Sequence, residues 1–199
     1  MNDGERVGEK KRDTRETSIE ASIRIDGEGN SELATGVGFL DHMITLLAKH
    51  SGIDVYVTAR GDLEVDAHHT TEDVGIVLGD AFKEALGDKS GIARFADASV
   101  PMQESLVAAA VDICGRPHLT YEVGFPAEKI GNFDTDLIEE FLHAFVVHAG
   151  ITLHVQALRG DNSHHIAEAV FKALARVLRD AAALDHRTGD GVPSTKGIL

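Results

Sequence analysis

One short motif occurs twice in the chain. Asp66-Ala67-His68-His69-Thr70-Thr71-Glu72-Asp73 returns 96 residues later as Asn162-Ser163-His164-His165-Ile166-Ala167-Glu168. Apolar residues at helical spacing follow each copy: Val74, Val77, Leu78, Ala81 and Phe82 after the first, and Val170, Phe171, Leu174, Val177 and Leu178 after the second. Each His-His-x-x-Glu unit therefore opens a long amphipathic helix. The likeness extends upstream, where Gly52-Ile53-Asp54-Val55-Tyr56-Val57-Thr58-Ala59 matches Gly150-Ile151-Thr152-Leu153-His154-Val155-Gln156-Ala157 at an offset of 98. The same offset lays Leu40-Asp41-His42 over Ile138-Glu139-Glu140, while His143 falls three residues off that register. A duplicated chain must fold as two like halves.

The elements between these landmarks repeat in order. Alternation marks strands from Val7, at Thr17–Ile25, at Ser31–Thr35 and at Ile53–Ala59, with a helix over Gly36–His50 before the first metal unit. Strands follow at Arg94–Val100, Ser105–Ile113 and His118–Val123, then a helix over Asp134–Ala149, a strand at Ile151–Ala157 and the last helix. The pattern β-β-β-α-β-α thus occurs twice, dividing one compact domain into half-repeats at residues 1–90 and 91–199. It predicts an α+β fold of two sheets with helices against them. No Gly-rich dinucleotide fingerprint follows any strand. Residues 1–5 are expected to fray, and Arg187–Gly191 to form a flexible loop.

Composition excludes several classes of function. A net charge of −14 argues against a broad nucleic-acid footprint, which needs clustered cations. No run approaches the length of a membrane span, and the charged start lacks the apolar core of a signal peptide. Cys114 is the only cysteine, so a thiolate zinc cluster is excluded and a reducing cytoplasm is the natural compartment.

The repeated units carry imidazole and carboxylate donors without sulfur, a set that suits Mn²⁺, Fe²⁺ or Zn²⁺ and leans towards Mn²⁺. Neighbouring helical residues diverge by about 100°, so His68 and His69 point different ways, whereas Glu72 can join either. Two ions, each taking one imidazole from each unit, fit this geometry. Eight candidate ligands form four pairs: His42 with Glu140, His68 with His164, His69 with His165, and Glu72 with Glu168. Elsewhere, Ser194 and Lys196 beside Gly197 suit a phosphate, and the glycine-flanked Arg94 and Arg116 could hold the same anion or form surface ion pairs. The spacing around Glu16 assigns it no role. On these residues alone, a dinuclear hydrolase and a non-catalytic metal-binding assembly stand beside other metal enzymes.

Several stretches bear a family resemblance. They are Arg15-Glu16-Thr17, Gly36-Val37-Gly38-Phe39-Leu40-Asp41-His42-Met43, the first metal unit through Gly75, Gly115-Arg116-Pro117-His118-Leu119, Thr152-Leu153-His154, Asn162-Ser163-His164-His165 and Pro193-Ser194-Thr195-Lys196-Gly197. In order, and over nearly the whole chain, they resemble the imidazoleglycerol-phosphate dehydratases of histidine biosynthesis, in their monofunctional form. The resemblance implies a ribosomal protein S5 domain 2-like fold, with two sheets enclosing a helical layer. It implies a hydro-lyase converting D-erythro-imidazoleglycerol phosphate to imidazoleacetol phosphate. It further implies a 24-subunit assembly with two Mn²⁺ per subunit at sites shared between subunits. The implied metal ligands are the eight residues paired above, with Glu140 departing from the His of some members. Arg94, Arg116, Ser194 and Lys196 map onto phosphate contacts and Glu16 onto a catalytic glutamate, joined by Glu72 and Glu168 as candidate catalytic carboxylates. Gln103, where Asp is usual, and Leu46, where Gln is common, are further departures.

Overall fold

A computed structural model describes residues 5–185, 191–197 and 199, so the fraying expected at 1–4 and the loop expected at 187–190 lie outside the described residues. The first half comprises β1 (Val7–Asp13), β2 (Thr17–Arg24), β3 (Ser31–Ala34), α1 (Gly38–Ser51), β4 (Asp54–Gly61) and α2 (His68–Leu86). The second comprises β5 (Phe95–Met102), β6 (Ser105–Asp112), β7 (His118–Glu122), α3 (Leu137–Ala149), β10 (Thr152–Arg159) and α4 (Ser163–Ala182). Between β7 and α3 lies a small hairpin, β8 (Lys129–Ile130) with β9 (Phe133–Asp134), that has no counterpart in the first half. It delays α3 to Leu137, later than the helical period indicated.

The two sheets match strand for strand. Their orders are β1-β2-β4-β3 and β5-β6-β10-β7, and in each the last strand pairs parallel while the others run antiparallel. The alternation that marked β2 sorts its faces: Ile19, Ala21 and Ile23 are buried, whereas Glu20 is exposed. Helices α1 and α3 both stop at a left-handed glycine, Gly52 at φ 78° and Gly150 at φ 67°, whose N–H groups donate to Ala48 O and Val146 O. Only glycine takes that conformation without a Cβ penalty.

Each sheet carries helices on one face, and the helices meet in the middle. Helix α2 lies on β1 and β2, α4 on β5 and β6, α2 packs against α3, and α1 against α4. The contact between halves is apolar and aromatic. Phe82 of α2 meets Phe145 of α3 across it with ring centroids 5.8 Å apart, and within the second half Phe141 of α3 meets Phe171 of α4 at 5.4 Å. All four rings are buried, each contributing about 1.5–3 kcal/mol. Two sheets thus enclose a helical layer, and the layer sets the helix starts where the metal units lie.

Candidate metal centre

The α1–α4 contact brings one set of ligands together. Asn162 caps α4, its side-chain oxygen accepting the N–H groups of His164 (2.9 Å) and His165 (3.4 Å). That cap fixes the first turn, and the i, i+4 spacing aims His164 and Glu168 along one face. Glu168 Oε1 lies 3.1 Å from His42 Nε2 and 3.2 Å from His164 Nε2, and the three ligand atoms fall within 4.8 Å of one another. Each nitrogen–oxygen contact needs a proton or a cation between the atoms, and a divalent ion meets both needs at once. Lys172 donates to the other oxygen, Oε2, at 2.6 Å, leaving Oε1 as the oxygen that faces the imidazoles. Burial pushes the Glu168 carboxyl up, but the hydrogen bonds from Lys172 and His42 outweigh it and hold the group at about 2. This donor set fits a divalent metal ion.

The second histidine of each unit turns away from its neighbour. Rings of His68 and His69 stand 6.1 Å apart at 88°, those of His164 and His165 6.4 Å apart at 82°. His69 Nδ1 meets Asp62 Oδ2 at 3.0 Å, with Glu16 Oε2 at 3.8 Å, and its pKa is raised chiefly by the Asp62 hydrogen bond. His165 Nδ1 meets Glu104 Oε2 at 2.8 Å. In both cases the bonded nitrogen is Nδ1, so Nε2 is the ring nitrogen left for a ligand.

His68 and Glu72 on α2 and Glu140 on α3 occupy the related positions of the α2–α3 contact, all partly exposed. Among the described residues, however, only His42, His164 and Glu168 close into a group of three. Around the start of α2, Asp62 Oδ1, Thr70 Oγ1 and Thr71 Oγ1 are buried and have no hydrogen-bond partner among the described residues.

The anion-binding candidates gather at the chain's end. Arg94 grips Asp112 with Nε (2.7 Å) and Nη2 (3.2 Å), and its Nη1 donates to Pro193 O at 2.8 Å, which ties the Ser194–Lys196 segment beside it. Gly115 lies against Leu199, and the neighbouring Arg116 is exposed. Arg94 therefore forms the ion pair that a lone arginine was expected to form, and it also holds the tail.

The model of the imidazoleglycerol-phosphate dehydratase family matches residues 35–178. The chain belongs to the imidazoleglycerol-phosphate dehydratase family. The dehydratase of Nitrobacter hamburgensis is 59% identical over 189 residues, covering 95% of this chain and 96% of its own. That of Thermoanaerobacter pseudethanolicus is 58% identical over 194 residues, with 98% and 100% covered. The crystal structure of the Staphylococcus aureus dehydratase superposes with a TM-score of 0.82 at 41% identity, over 90% of this chain and 99% of that one. The structure from Pyrococcus furiosus, in complex with (S)-C348, gives 0.82 at 36%, over 96% and 100%. The chain is an enzyme, a hydro-lyase acting at the dehydration step of histidine biosynthesis.

Set against that family assignment, three neighbours of the metal units stand out that sequence reasoning missed. Lys172 carried a readable signal, being four residues beyond Glu168 on the same helix. Asp62 and Glu104 carried none, because each reaches its histidine from a connection outside the helix, Asp62 between β4 and α2 and Glu104 between β5 and β6. Gln103, the departure from the usual Asp, sits at φ 51° in the tight β5–β6 turn, a conformation that Asp tolerates better than Gln.

Proposed function

We propose that this dehydratase acts on D-erythro-imidazoleglycerol phosphate, forming imidazoleacetol phosphate with two Mn²⁺ ions per subunit at sites shared between copies. The reading is carried by one observation: His42, His164 and Glu168 converge on a point while the second histidine of each pair faces elsewhere. The observed His164–Glu168 pairing gives the related role to His68, Glu72 and Glu140. His69 and His165 are then left over, each with Nδ1 anchored and Nε2 free. Among the described residues neither imidazole contacts the converged group. A second copy supplying His69 to one ion and His165 to the other completes four donors at each.

When bound, the ions supply Lewis acidity to the substrate's imidazole ring, stabilising the charge that builds when the adjacent carbon loses its proton. Glu16, exposed and held only at 3.8 Å from His69, moves that proton as acid/base. Arg116, Ser194 and Lys196 hold the phosphate and so fix the reacting carbon, while Arg94, engaged with Asp112 and Pro193, anchors the segment that carries Ser194 and Lys196. Assembly into a 24-mer and a cytoplasmic setting complete the proposal, the latter supported by the single thiol.

The test is a product mass assay on metal-stripped protein with and without Mn²⁺, using imidazoleglycerol phosphate. Manganese-dependent loss of one water with phosphate retained is expected. A folded, reconstituted protein that leaves the substrate unchanged overturns the proposal. In the same assay Glu16→Gln should abolish turnover with manganese content intact.

A further inference from the structure

Duplication gives Glu16 a structural counterpart. Glu16 immediately precedes β2 and Glu104 immediately precedes β6, the equivalent second strands of the two sheets. Each lies near the second histidine of a metal unit, Glu16 near His69 and Glu104 near His165. Their surroundings differ in three ways.

The first difference is the turn. Met102 pairs with Ser105, so Gln103 and Glu104 alone form the β5–β6 connection, with Gln103 at positive φ. Asp13 pairs with Ser18, which gives Glu16 the longer loop 14–17. The second is the following hydroxyl. Buried Ser105 donates its Oγ to Glu104 Oε1 at 2.8 Å, fixing the carboxylate so that Oε2 meets His165. Thr17, in the equivalent place, donates to Asp73 instead. The third is competition. At the first unit Asp62 holds His69 at 3.0 Å and keeps Glu16 at 3.8 Å. Asp161, which follows β10 as Asp62 follows β4, is exposed and gives His165 no hydrogen bond among the described residues. A register shift between Ala157 and Arg159 precedes it, the kind of bulge that re-aims the residues beyond it.

The geometry points to Glu104 as the positioning residue of His165: it holds Nδ1 so that Nε2 faces a metal ion, the task Asp62 performs for His69. The two halves have thus divided one ancestral pair of carboxylates. Glu104 is committed to orienting a ligand, and Glu16, relieved of that task by Asp62, is left free for proton transfer. This inference rests on the metal-sharing reading proposed above. Carboxylate partners of metal-bound histidines orient the ring and raise its basicity, and their loss weakens metal binding roughly 10- to 100-fold.

Manganese uptake by metal-stripped, refilled protein tests it, read by calorimetry and bound-metal analysis, with circular dichroism confirming the fold. Glu104→Ala should weaken one of the two bound ions by roughly 10- to 100-fold and leave the other at wild-type affinity. Glu104→Gln, which keeps an oxygen to accept from Nδ1, should recover part of the loss. It also decides the matter if the alanine variant fails to fold. Glu16→Gln should change neither ion. Two wild-type affinities in Glu104→Ala, or equal weakening of both ions in every variant, would overturn the assignment. Wild-type protein that takes up no manganese fails before any substitution is made, which removes the shared-metal reading and this inference with it.

Discussion

Asp54 opens β4 with its carboxylate fully buried. Oδ1 accepts the N–H groups of Glu28 (2.9 Å) and Asn30 (2.8 Å), and Oδ2 accepts Arg24 Nε (3.0 Å) and Nη2 (2.5 Å). Burial pushes this carboxyl up, yet the backbone donors and the guanidinium bring it to about 2, below its ordinary 3.8. A group depressed in the folded state stabilises above its unfolded pKa and loses that contribution as pH falls through the folded value. Denaturation curves between pH 5 and pH 2 should therefore show wild-type stability falling across this window. Asp54→Ala should cost about 3 kcal/mol at neutral pH, by leaving two N–H groups unpaired and Arg24 with only the exposed Glu5 as partner, and should flatten part of that fall. An unchanged profile would remove Asp54 as the cause. Of this network the sequence showed only a strand start, since the partners come from a turn and a neighbouring strand. The ligands were more legible because both members of His164–Glu168 lie on one helix.

At the scale of elements, the α2–α3 crossing is the closest the halves come. A Cβ on Gly75 would lie 2.7 Å from Phe141 O, and one on Gly79 would lie 2.7 Å from Phe145 O and 2.8 Å from His148 Cβ. Helix propensity alone would favour alanine at Gly79 by about 1 kcal/mol. Overpacking against a fixed backbone costs up to about 3 kcal/mol, so Gly79→Ala should lose roughly 2 kcal/mol in chemical denaturation. Because α2 and α3 carry His68, Glu72 and Glu140, the same variant should bind manganese more weakly; wild-type stability and affinity would contradict the close crossing. The helices and long strands were legible because their periods run over many residues. The β8–β9 hairpin was not, since strands of two residues carry no period, and its presence is why α3 starts later than the pattern indicated. The contacts of Asp62 and Glu104 with the histidines were hidden for a related reason: each carboxylate lies in a connection that shares no helical or strand period with its histidine, Asp62 in the link from β4 to α2 and Glu104 in the β5–β6 turn.

As a whole, the molecule presents like elements twice, and among the described residues its converged ligand group holds three donors. Val65, just before α2, is 67% exposed, and Phe95 at the start of β5 is 60% exposed. Scattered singly, such side chains are ordinary on a surface, and the association of copies proposed above rests on the ligand group instead. A charge of −14 on every chain opposes that association, so any assembly should tighten with ionic strength until the Debye length is short, read by sedimentation. The proposed sharing of metal between copies predicts a second dependence. Stripping manganese should loosen it, and restoring manganese should rebuild it.

The most direct measurement is anomalous diffraction at the manganese edge from crystals of the manganese-loaded protein. The account expects one peak bounded by His42 Nε2, His164 Nε2 and Glu168 Oε1 of one copy, with His69 Nε2 of another. A second peak is expected among His68, Glu72 and Glu140, with His165 from another copy. A peak whose protein ligands all come from a single chain, or none at the His42–His164–Glu168 group, would contradict it.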